Sequence, residues 1–90
     1  MKTILHYLKP GNNCSVEVQP GSLEEVPGQS NSFIFKTSWP SKGYNKSEDY
    51  IQLKCTSNEG ESIFKMLLTY EQAKGLRKAL NDSMENFHGD

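Results

Sequence analysis

The densest group of chemically versatile side chains in this 90-residue sequence runs from Lys36 to Tyr50, where Trp39, Tyr44 and Tyr50 alternate with Lys36, Lys42 and Lys46. Aromatic rings stack on bases and sugars while lysines meet phosphates, so a nucleotide or single-stranded nucleic acid is one ligand class this mixture can serve. The same residues suit a protein partner, because tryptophan and tyrosine on a loop are frequent interface anchors. Glu48 and Asp49 follow at once and cancel much of the local positive charge. That balance favours protein docking over phosphate binding. Trp39, Lys42, Tyr44, Lys46 and Tyr50 are the candidate binding residues.

Other chemistries find less to work with. The two histidines, His6 and His88, and the two cysteines, Cys14 and Cys55, are scattered and form none of the close ligand pairs that metal sites use. No metal and no cofactor is therefore expected. A nucleophile elbow and a glycine-rich phosphate loop are both missing. Cys14 and Cys55 fall at inward positions of strand-like segments, where a thiol is usually inert, and Glu24-Glu25 is an adjacent pair whose side chains diverge. The expectation is a protein without catalytic activity. An enzyme built on His6 with Cys14 or Cys55 ranks below both binding readings.

The totals set the frame. Ninety residues make one domain with one core, and a net charge of −1 exerts no general pull on nucleic acid or an anionic membrane. The opening MKTILHYLKPG is interrupted at His6 and ended by Lys9 and Pro10, unlike a secretory leader, and no apolar run approaches the length of a membrane span. A cytoplasmic protein that does not enter a membrane is expected, with both cysteines reduced. The lean toward serine, asparagine and lysine suits a bacterial or phage accessory protein.

The elements that must position the candidate residues follow from periodicity. Residues 3–8 and 14–19 alternate as strands around the turn-prone Pro10-Gly11-Asn12-Asn13, which predicts an antiparallel hairpin ended by Pro20 and Gly21. Residues 20–32 hold two Pro-Gly pairs and read as a long irregular loop anchored by Leu23 and Val26. Residues 32–39 form an aromatic-rich strand, and 40–49 a polar loop. Residues 50–56 and 62–68 pair across Ser57-Asn58-Glu59-Gly60, with Gly60 in the left-handed position.

Last comes a helix over residues 70–87. Thr69 and Gln72 have the spacing of a capping box, and Ala73, Leu76, Leu80, Met84 and Phe87 share one face. Gly75 costs the helix roughly 1 kcal/mol against alanine and is expected to let it approach a sheet closely. The sum is a single α+β domain: a mostly antiparallel sheet of about five strands in meander-like order, one face covered by the C-terminal amphipathic helix. Open sheet edges at the first or third strand offer a route to a homodimer.

Overall fold

A strand needs extended backbone and a neighbour for its hydrogen bonds, and the order in which the segments find neighbours defines this fold. A computed structural model describes residues 1–38 and 40–89, with the side chains of Lys9 and Asn12 left aside. It contains β1 (Thr3–Lys9), β2 (Asn12–Glu25), β3 (Phe33–Lys36), β4 (Tyr50–Ser57), β5 (Ser62–Thr69) and α1 (Tyr70–Met84). All the strand pairs are antiparallel, and the main path runs β1-β2-β4-β5, with β3 attached to β2 off that path. The expected α+β class, with five antiparallel strands and one C-terminal helix, is what the chain adopts.

The first difference from expectation lies in β2. It does not stop at Pro20-Gly21 but continues to Glu25, and residues 22–25 pair with β3. Pro20 is tolerated because β1 ends opposite Val18, which leaves one flank of β2 without a neighbour where a missing N–H does no harm. Gly21 is required for closeness rather than for a turn. A Cβ there would lie 2.3 Å from the Phe35 ring and 2.5 Å from the Lys36 carbonyl oxygen. The presumed irregular loop thus shrinks to a turn around Pro27 and Gly28, held by Val26 N–H donating to the Ser32 carbonyl at 2.8 Å. The sheet is accordingly not a simple meander, since β3 leaves β2 and β4 as direct neighbours. β3 itself spans only 33–36, and the Trp39 end of the expected strand lies outside the described residues.

Register assigns the two faces of the four-stranded path. Leu5 lies opposite Val16, Val16 opposite Cys55, and Cys55 opposite Phe64, while Val18, Leu53 and Met66 form the next row. Cross-strand partners share a face, so this one is apolar from β1 to β5. The opposite face carries His6, Ser15, Glu17, Gln19, Gln52 and Lys54 in the same ladders. Polar contacts there include Lys2–Glu17 at 3.1 Å and Gln19 Nε2 donating to Gln52 Oε1 at 3.4 Å. The β4–β5 turn places Gly60 at φ +90°, as its sequence signal predicts.

The helix begins as expected and then departs. Thr69 Oγ1 accepts from Gln72 N–H at 3.1 Å and Gln72 Oε1 accepts from Thr69 N–H at 2.9 Å, a complete capping box. Yet of the strands α1 touches β5 and β4, and none of its residues is buried. Tyr70 and Ala73 alone are half-buried, while Leu80 and Met84 remain 57% and 67% exposed. The helix therefore does not cover the sheet. Thr69 both ends β5 and caps α1, so the helix follows the strand with no intervening loop. Nor does Gly75 serve close approach, since a Cβ there would meet nothing within 4 Å.

Candidate functional site

Register brings three separate parts of the chain to the same end of the sheet. Pro20 pairs with Ile51, Ile51 with Leu68, and Tyr50 stands between Gly21 and Thr69. α1 starts at the next residue, Tyr70, so its ring falls beside the β2–β4 ladder. The loop before β4 completes the enclosure. Asn45 Oδ1 accepts from Ser47 N–H at 2.8 Å, and Asp49 Oδ2 accepts from Asn45 N–H at 2.6 Å. Asp49 N–H returns to the Asn45 carbonyl at 2.9 Å. These local bonds from Asn45 and Asp49 are the reason this polar segment folds into a tight turn.

The result is an open groove of about 310 Å³ lined by Pro20, Tyr44, Asn45, Lys46, Asp49, Tyr50, Ile51 and Tyr70. Tyr44 does more than line it. Its hydroxyl lies 3.0 Å from the Thr37 carbonyl oxygen and 2.9 Å from that of Ser38, tying the loop to the end of the β3 segment. At the lip, the Lys46 ammonium sits 5.0 Å from the centroid of the Tyr70 ring, and Lys74 lies 5.7 Å from the same ring. Such cation–π contacts contribute roughly 0.5–1 kcal/mol at exposed sites. Lys74 also faces Glu71 at 3.7 Å, whereas Lys46 has no carboxylate within ion-pair distance among the described residues. One cation at the rim is thus left to meet an outside anion.

Three of the five candidate binding residues, Tyr44, Lys46 and Tyr50, converge here. Lys42 is exposed and lies away from the lining, and Trp39 falls outside the described residues. Tyr44 and Tyr50 are half-buried rather than fully exposed. The groove residues outside the candidate set include Pro20, Ile51 and Tyr70. The capping box already located Tyr70 as the first helical residue, but only the strand register shows that it meets Tyr50 and Ile51.

The cysteines form a separate feature. Cys55 lies opposite Val16, two positions along from Cys14, so the two free thiols are diagonal neighbours on the apolar face. Cys55 is 5% exposed. Burial pushes its thiol above the ordinary value of 9.0, and the adjacent Cys14, through a side-chain hydrogen bond and its charge, adds to the shift. A thiol held protonated in this way is a packing group rather than a nucleophile. His6 is an exposed residue of the polar face. No group of three or more histidine, cysteine or acidic residues close enough to hold a metal ion occurs among the described residues. Among the described residues, no helix is long and apolar enough to cross a membrane.

Set against family models, curated proteins and solved structures, the chain matches none of them.

Proposed function

We propose that this protein is a small non-catalytic binding domain, accessory or inhibitory in role, that docks onto another protein through the groove between Tyr44, Tyr50 and Tyr70. The observation that carries the reading is the composition of the groove. Three tyrosines, a proline and an isoleucine make most of a concave surface that Asn45 and Asp49 also line, and Lys46 beside the Tyr70 ring has no ion pair among the described residues. A complementary segment presents an apolar or aromatic side chain for the groove and a carboxylate beside it for Lys46. Aromatic rings in such positions supply large contact area at low conformational-entropy cost, which is why they dominate interface energetics. The free, neighbouring thiols of Cys14 and Cys55 suit a reducing compartment such as the cytoplasm.

The test compares baits in affinity purification from the native host, one wild type and one carrying Tyr44→Ala with Lys46→Glu. A specific partner should be retained by the first and lost by the second, with a drop in affinity of about 30-fold or more, the size of a hot-spot loss. Equal recovery by both baits removes the assignment.

The second reading is a nucleotide or single-stranded nucleic acid held by the same groove, favoured by the two lysines beside the Tyr70 ring. Phosphate contacts are strongest at low salt. Binding of an oligonucleotide at low salt that weakens as salt rises would select this reading, and no binding at low salt would discard it.

A further inference from the structure

The chain exposes too much surface for its mass. A compact monomer of 10.2 kDa is expected to show roughly 5,300 Å², and this one shows 7394 Å². Its radius of gyration is 15.9 Å against about 12 Å for a globular chain of this length. The excess, 7394 minus roughly 5,300, is roughly 2,100 Å² per chain. Two chains that each buried that much would share about 4,200 Å², inside the range of obligate dimers.

Apolar side chains are open at several places, Phe33, Ile34 and Ile63 among them, but two groups each share one face. One is the apolar sheet face, where Phe64 and Met66 are each 43% exposed and Leu5 and Tyr7 are similarly open. The other is the stripe of α1 formed by Leu76, Leu80 and Met84. A helix of 15 residues is marginal without a surface to cover its apolar side. The sheet face in turn lacks a second layer, which stable domains require. Each surface is what the other needs, yet within one chain they stay apart: α1 meets β5 and β4 near its start, at the half-buried Tyr70 and Ala73, and leaves Leu76, Leu80 and Met84 exposed.

We propose that the protein is a symmetric dimer in which α1 of each copy lies across the apolar sheet face of the other. A two-fold arrangement satisfies both surfaces of both chains at once. Pairing sheet to sheet would leave both helices bare, and pairing helix to helix would leave both sheets bare. This assembly uses neither strand edge, and it stands independently of the Tyr44–Tyr50–Tyr70 groove.

The experiment is a mass measurement in solution, by sedimentation or light scattering, on the full chain and two variants. The wild type should run as a dimer of about 20 kDa, twice 10.2 kDa. Leu80→Glu on the helix and Met66→Lys on the sheet should each give a species of single-chain mass. Mixing the two variants should restore the dimer, because the mixed pair regains one unaltered helix–sheet contact and sets glutamate against lysine in the other. Folding is followed separately by circular dichroism of the wild type on dilution, where helical signal should fall as the dimer dissociates. A wild type that is monomeric and fully helical overturns the proposal. So does a dimer indifferent to Leu80→Glu, as sheet-to-sheet or edge pairing predicts, or one indifferent to Met66→Lys, as helix-to-helix pairing predicts. A chain that gains mass only with a different protein bound also overturns it.

Discussion

β4 and α1 make an instructive pair, since both are regular, both carry apolar residues on one side, and only β4 finds cover within the chain. Cys55 and Gln52 of β4 are buried, whereas α1 buries nothing. A central strand acquires neighbours as a by-product of hydrogen bonding, because β2 and β5 must lie within about 5 Å of it to complete the ladders. A helix satisfies its own backbone and is under no such compulsion. Its side chains must find a surface by separate means, and here Leu76, Leu80 and Met84 find none within the chain.

The contrast can be broken at β2 with the largest effect. Gly21→Ala forces a methyl group against the Phe35 ring and the Lys36 carbonyl, and overpacking of this kind costs about 1–3 kcal/mol. A lower urea midpoint with unchanged slope is the expected result. Adding Phe35→Ala should recover only part of it, because the carbonyl clash remains.

A smaller change addresses the helix alone. Thr69→Ala removes the acceptor for Gln72 N–H and should cost about 1 kcal/mol, read as reduced helical signal while the strands persist. Equal loss from strand and helix would show that the two regions unfold as one.

The smallest effect belongs to Cys55, a single proton. Its thiol has a higher pKa folded than unfolded, so between those two values the folded state holds the proton more often and stability falls as pH rises. The chain should be unaffected below the ordinary thiol value of 9.0 and lose stability above it. Cys55→Ala should flatten that alkaline slope, and alkylation of the folded wild type should reach Cys14 before Cys55.

Much of the local structure was legible in the residues. Alternation located the β1–β2 and β4–β5 hairpins, Gly60 marked its turn, and Thr69 with Gln72 announced the start of α1. What could not be read was any relation needing two segments at once. Pro20-Gly21 has the composition of a strand end, and only the presence of Phe35 above Gly21 and the absence of β1 beside Pro20 explain why β2 runs on. The helix stripe looks the same in sequence whether it covers its own sheet, another copy's, or nothing. For the groove, the loop contribution of Tyr44, Lys46 and Tyr50 followed from residue type. Pro20 and Tyr70 depended on register, which residue type does not encode.

The seamless passage from β5 into α1 has a mechanical consequence. With one residue serving as the end of a strand and the cap of a helix, the heading of α1 is set at its root by β5. Any twist imparted to the sheet is magnified at the tip near Met84, and a spacer of a few glycines inserted after Thr69 would uncouple the two and let the arm swing.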